Sequence, residues 1–111
     1  MHEHGIADRL LGEARARAEQ RGFSKLTQIV IGVGALSGLS RDTLAEPLHH
    51  AAEEAGLTGV QFVFEKIPPA AVCTKCGKDT AREAVCPRCG SEEIEVTGGT
   101  DVTVIGLMGA R

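Results

Sequence analysis

The chain is 111 residues long, 42% apolar and 24% charged, with 12 Lys and Arg against 15 Asp and Glu for a formal charge of −3. That length and balance fit one small globular domain with room for a metal-stapled appendage, and they exclude a large enzyme, a disordered chain and a broadly basic nucleic-acid binder. Three phenylalanines, with no tyrosine or tryptophan, leave a core of Leu, Ile, Val and Ala and little surface for stacking on bases.

Ile6, Leu10, Leu11, Ala14 and Ala18 recur at helical spacing between Gly5 and Gly22, with Arg9, Glu13, Arg17 and Arg21 on other faces. This pattern predicts an amphipathic helix closed by Gly22. Leu26 to Val33 is rich in Ile and Val, and the Gly32, Gly34 and Gly38 that follow predict a strand leading into a loop. Ser40 caps a second predicted helix that runs to about Ala55, with Leu44, Leu48, Ala51, Ala52 and Ala55 on one stripe and Gly56 at its end. Pro47 inside that stretch removes a helical hydrogen bond, so a kink or a later helix start is expected. Alternation through Val60, Phe62 and Phe64 predicts a second strand ending at Pro68-Pro69, and Val102 to Leu107 a third. Between them, residues 72–90 hold all four cysteines and few large apolar groups, a composition that cannot fold by apolar burial alone.

The expected fold is therefore α+β: an α-β-α-β-β domain with a three-stranded mixed sheet and two helices, plus a four-cysteine, zinc-ribbon-like domain. Its parts would be residues 1–69 with 96–111, and residues 70–95 inserted before the last strand.

Cys73-Thr74-Lys75-Cys76 and Cys86-Pro87-Arg88-Cys89 are two C-x-x-C knuckles, each followed by glycine, Gly77 and Gly90. Each tight turn can direct two thiolates at one ion, and four sulfurs in a tetrahedron suit Zn²⁺ in a closed, structural site. Disulfides and an iron-bearing electron carrier are the competing readings. Close cysteine pairs in a chain with neither a basic n-region nor an apolar h-region favour a metal in a reducing, cytoplasmic setting. A nucleic-acid-binding zinc ribbon is the alternative function. Against it, Lys75, Lys78, Arg82 and Arg88 face Asp79, Glu83, Glu92, Glu93 and Glu95, and no aromatic residue follows Phe64.

The amine of Met1, the amide and imidazole of His2, and a further backbone nitrogen such as that of Glu3 can form fused chelate rings of the planar, nitrogen-rich kind that suits Ni²⁺. His49 and His50, adjacent on a helix, point about 100° apart and do not readily share an ion. The Gly32, Gly34, Gly38 spacing departs from a dinucleotide fingerprint, with Ser37 where its third glycine would stand, and reads as a tight connection. No nucleophile elbow, phosphate-loop lysine or paired-carboxylate pattern is present.

In combination, Met1-His2-Glu3, Ile31-Gly32 followed by Leu36-Ser37-Gly38, and Cys86-Pro87-Arg88-Cys89-Gly90-Ser91 resemble the HypA/HybF family of hydrogenase nickel-incorporation proteins, over essentially the whole chain. The resemblance implies a cytoplasmic nickel metallochaperone without catalytic turnover, monomeric or homodimeric, that binds neither nucleic acid nor membrane. Its implied partners are a HypB-type accessory GTPase, the [NiFe]-hydrogenase large subunit that receives the nickel, and urease maturation proteins. It assigns transported Ni²⁺ to His2 and Glu3 with the Met1 amine, and structural Zn²⁺ to Cys73, Cys76, Cys86 and Cys89. The chain departs from the family pattern at His4-Gly5, at Ala35 where a glutamate is common, and in a shorter gap between the knuckles. His4 and Asp42 are therefore additional candidates for completing the nickel site.

Overall fold

The computed structural model describes residues 3–80 and 83–111, with residues 3 and 4 described by backbone alone. Its elements are α1 (Glu3–Gln20), β1 (Lys25–Gly34), α2 (Arg41–Glu54), β2 (Gln61–Ile67), β3 (Ala70–Cys73), β4 (Ile94–Gly98) and β5 (Val102–Ala110). One mixed sheet has the order β2-β1-β5, with β1 parallel to β2 across the α2 crossover and antiparallel to β5. A separate antiparallel pair, β3-β4, carries the cysteine segment between its strands.

Both helices lie on one face of the larger sheet, because both have their apolar residues on a single stripe. Ile6, Ala7, Leu10, Leu11, Ala14 and Ala18 of α1 meet Leu44, Leu48, Ala51 and Ala52 of α2 over Ile29, Ile31 and Val33 of β1 and Val102 and Val104 of β5. The helices end alike. Phe23 N–H donates to Ala18 O at 3.0 Å past Gly22, and Leu57 N–H to Ala52 O at 2.9 Å past Gly56, with Phe23 and Leu57 packed against the core.

Pro47 does not delay the start of α2, contrary to expectation. Ser40 Oγ accepts from Thr43 N–H, Thr43 Oγ1 accepts from Ser40 N–H, and this reciprocal cap fixes the first turn ahead of the proline. Leu44 and Leu48, fully buried on either side, hold the segment against the core where proline removes a hydrogen bond. The short β3 and β4 were not expected, and β5 continues beyond Leu107 to Ala110.

Two features organise the rim of the sheet. Arg9 Nη2 donates to Val102 O and Arg17 Nη1 to Val104 O, each at 2.7 Å, so α1 satisfies carbonyls on the edge of β5 that has no strand beside it among the described residues. At the end of β1, Gly34 N–H donates to Asp101 O (2.9 Å), Ala35 N–H to Ile67 O (2.8 Å) and Leu36 N–H to Gly99 O (2.7 Å). This clasp binds the end of β1 to both chain segments that lead into and out of the β3-β4 hairpin. The hairpin makes the molecule long: the radius of gyration is 17.3 Å, against about 13 Å for a compact domain of this length.

The clasp needs glycine at position 34, where a Cβ would come within 2.4 Å of Gly99 O and 2.7 Å of Asp101 O. Gly34→Ala should destabilise the protein by about 2–3 kcal/mol through backbone displacement. Gly12→Ala, on the exposed face of α1 with open space around it, should stabilise it by about 1 kcal/mol. Urea denaturation of the two variants checks both signs.

Candidate metal centre

The β3-β4 hairpin presents its cysteines in two turns with one hydrogen-bond pattern. In the first knuckle Cys73 N–H donates to Lys78 O (2.9 Å) and Gly77 N–H to Cys73 O (2.8 Å). In the second, Cys86 N–H donates to Ser91 O and Gly90 N–H to Cys86 O, both at 2.8 Å. Gly77 and Gly90 have φ of 78° and 76°, the left-handed conformation that lets the chain reverse immediately after the second cysteine. Thr74 N–H and Oγ1 both donate to Glu93 O, at 2.9 and 3.0 Å, and tie the first knuckle to the approach of β4.

The result is one quartet. The sulfurs of Cys73, Cys76, Cys86 and Cys89 all lie within 4.8 Å of one another, with Cys73–Cys89 and Cys76–Cys86 at 3.5 Å. Four sulfurs at the roughly 2.3 Å bond length of a zinc thiolate stand about 3.8 Å apart in a tetrahedron. The quartet therefore fits such an ion, and its cysteines are free thiols, not disulfides. Cys73 and Cys86 are buried, Cys76 is half-buried and Cys89 exposed, so the ion would sit under the tip of the hairpin with one sulfur toward solvent. Four protein ligands leave no position for a reacting water; zinc here would hold the two turns together.

The peptide N–H groups of the turns also favour thiolate. That of Cys76 acts most strongly on the Cys73 sulfur and holds its thiol at about 6, below the ordinary 9.0, against the opposing effect of burial. Burial raises the Cys86 thiol, but the peptide N–H groups of Cys89 and Arg88 outweigh it and bring it below the ordinary value. The Ser91 N–H lowers Cys89, yet the neighbouring Cys73 sulfur, burial and the other two sulfurs together push it up to about 11. Without an ion, one negative charge among four sulfurs discourages the next; a divalent cation removes that conflict.

Little else holds the segment. Among its described residues Ala71, Cys73, Thr80 and Cys86 are buried, and the Lys75–Glu93 pair at 3.8 Å is exposed. Thr80 Oγ1 is buried with no partner among the described residues.

The other expected ligands fall differently. Met1 and His2 lie outside the described residues, Glu3 opens α1, and the side chains of Glu3 and His4 are not described. Asp42 lies in the first turn of α2 and is exposed. His49 stands edge-on to Phe62, with ring centroids 5.3 Å apart, and His50 Nε2 lies 3.4 Å from Glu54 Oε1. Among the described residues, the four cysteines are the one group of three or more metal-ligating side chains gathered closely enough to share an ion. Sequence reasoning passed over the roles of Arg9 and Arg17; their place on the flank of the apolar stripe of α1 was the available signal.

A family model described as hydrogenase/urease nickel incorporation, metallochaperone, hypA matches residues 1–108. Among similar proteins, the hydrogenase maturation factor HypA of Aeromonas hydrophila subsp. hydrophila is 33% identical over 107 residues, covering 94% of this chain and 95% of the relative. The hydrogenase maturation factor HybF of Klebsiella pneumoniae is 30% identical over 112 residues, covering 98% and 99%. The solution structure of the Ni metallochaperone HypA from Helicobacter pylori superposes with a TM-score of 0.80 at 18% identity, covering 99% of this chain and 98% of that one.

Metal removal should release the hairpin and leave the main core intact. Zinc-module binding contributes on the order of 10 kcal/mol, so Cys73→Ser/Cys76→Ser should become protease-sensitive within residues 70–98 while keeping its helical circular dichroism. A hairpin that stays resistant would contradict this. The thiols also set a pH direction. Protons compete with zinc for all four thiolates, so the fraction of zinc passed to a chromogenic chelator should rise as pH falls, the lowered Cys73 thiol opposing that release and the raised Cys89 thiol favouring it.

Proposed function

The chain belongs to the HypA family of hydrogenase and urease nickel-incorporation metallochaperones, and from that premise we propose that it carries Ni²⁺ at its amino terminus and hands it to the large subunit of a [NiFe]-hydrogenase. Its role is nickel incorporation in hydrogenase maturation, that of a maturation factor and not of a catalyst. The four cysteines supply the structural zinc site; the transported nickel is cargo, held elsewhere.

The observation that carries this reading is the family match over residues 1–108, which takes in Met1-His2-Glu3 and all four cysteines. Physical chemistry supports the placement. Peptide N–H groups in the first turn of a helix have no intrahelical acceptor, and Glu3 opens α1. Replacing its amide proton by nickel therefore costs no helical hydrogen bond, as it would three residues later. Ile6 and Ala7, both buried, anchor the helix within a turn of that point. Amine, amide nitrogen and the His2 imidazole favour Ni²⁺ over the tetrahedral preference of zinc, while the thiolates do the reverse.

In this reading residues 1–69 with 96–111 form the nickel-binding unit and residues 70–95 the zinc-binding unit, with β4 crossing from one to the other. The protein works in the cytoplasm, without turnover of its own, with a HypB-type GTPase as partner and urease maturation proteins as further ones. Among the described residues no helix is long and apolar enough to cross a membrane. The nucleic-acid-binding alternative has no observation in its favour: beside the quartet the charges are mixed, and the family is one of nickel incorporation.

Calorimetry of nickel binding tests the site. One Gly added before Met1 turns the amine into an amide, and His2→Ala removes the imidazole; each should abolish tight nickel uptake with zinc content unchanged. His49→Ala and His50→Ala should leave uptake as it is. X-ray absorption of the nickel-loaded protein should show nitrogen and oxygen neighbours. Unchanged affinity in the extended protein, or a sulfur-dominated nickel shell, would refute the assignment.

A further inference from the structure

We propose that the open end of the β1-β2 pair is a docking site for an extended, acidic segment of a partner protein, which adds as a strand to the free edge of β2. A cleft of about 380 Å³ lies there, lined by Val33, Leu39 and Phe64 below and by Arg41 and Lys66 at the rim. It sits beyond the carboxyl ends of two parallel strands, between β2 and the first turn of α2. Crevices in this position are where open α/β sheets take ligands.

Three observations specify the occupant. First, the two edges of the main sheet differ. Arg9 and Arg17 cover carbonyls of β5, whereas β2 pairs with β1 alone and has no strand on its other side among the described residues. A free edge offers alternate peptide groups to an incoming strand. The lining includes the consecutive residues Phe64, Glu65 and Lys66 of β2, so the cleft adjoins the strand that carries the free edge.

Second, the pleat sorts the charges. Side chains alternate across a strand. Phe62 and Phe64 pack toward the helices, so Lys66 belongs to their face, the one on which Arg41 opens α2, while Glu65 belongs to the opposite face. Two cations thus flank an apolar floor, while Glu65, which also lines the cleft, has its side chain on the other face of the strand by alternation.

Third, both cations are unpaired. Neither Arg41 nor Lys66 joins an ion pair among the described residues, in a chain whose net charge is −3. A free phosphate is a poorer fit. The peptide N–H of Thr43 is already taken by Ser40 Oγ, and an apolar floor gives a bare anion nothing. An extended segment that alternates carboxylates with aliphatic side chains uses the edge, the floor and both cations together.

The probe is a fluorescein-labelled hexapeptide of alternating aspartate and valine, titrated into the zinc-loaded full chain by anisotropy, with an alternating lysine and valine peptide as control. The acidic peptide should bind, weaken with added salt, and lose about tenfold in affinity to Arg41→Glu/Lys66→Glu. The exposed position of both residues means the variant should keep its circular dichroism, and Arg41→Gln/Lys66→Gln provides a milder second variant. Hydrogen exchange should slow at amides of β2 when the peptide is bound. No binding at millimolar peptide, equal binding of the lysine peptide, indifference to both variants, or protection along β5 instead would overturn the proposal. Displacement by millimolar inorganic phosphate would overturn it too, making the cleft a simple anion pocket. Nickel affinity of the variants should be unchanged, so this test and that of the amino-terminal nickel site fail separately.

Discussion

Apolar volume is the scarce resource of this chain. With three phenylalanines and no larger aromatic residue, aliphatic side chains can build one core, and they do so between two helices and one face of a three-stranded sheet. Everything outside that layer must be held by something other than hydrophobic burial. The β3-β4 hairpin is held by its thiolate quartet, the carbonyls of β5 by two arginines of α1, and the end of β1 by a peptide clasp. Small side chains also permit these arrangements, since Gly34 and Gly99 let three backbone segments approach closely.

Local chemistry and division of labour follow from one another. A site that must keep its ion needs four identical soft ligands fixed by turns whose own N–H groups stabilise thiolate, and the two knuckles supply this with matching hydrogen bonds. A site that must surrender its ion is better built at a chain end, from ligands that a proton or an approaching protein can displace one at a time. The sequence of this chain contains both soft thiolates and nitrogen donors, and the fold keeps the cysteines on a hairpin that projects from the main core.

Much of the fold was legible because its signals are local. The apolar stripe of α1, the alternation around Phe62 and Phe64, the glycines after each knuckle and the doubled C-x-x-C each depend on neighbours a few residues away. What escaped depends on distant parts of the chain. Val72 and Val96 lie in strands that pair across the cysteine segment, and neither strand is long enough to show a period of its own. Arg9 and Arg17 look like solvated helix charges until β5 arrives some ninety residues later to meet them. Pro47 misled because its penalty is local while the compensation, burial of Leu44 and Leu48 and the cap at Ser40, is set by the rest of α2. The proposed amino-terminal nickel set rests on the residue types of Met1-His2-Glu3, and Met1 and His2 lie outside the described residues.

The clasp at Gly34 has a consequence for how such a chain can change over generations. It seizes the strand pair at its base, at Ile67 on the way out and at Gly99 and Asp101 on the way back, so the segment beyond hangs from a fixed doorway. Residues can be lost or gained between the knuckles without moving that doorway. The closure entropy of the enclosed loop varies only with the logarithm of its length, about 0.6 kcal/mol per doubling. The nine-residue spacing between Cys76 and Cys86 is then a dimension open to drift: a longer or shorter gap would alter how far the tip reaches while the architecture behind it stays as it is.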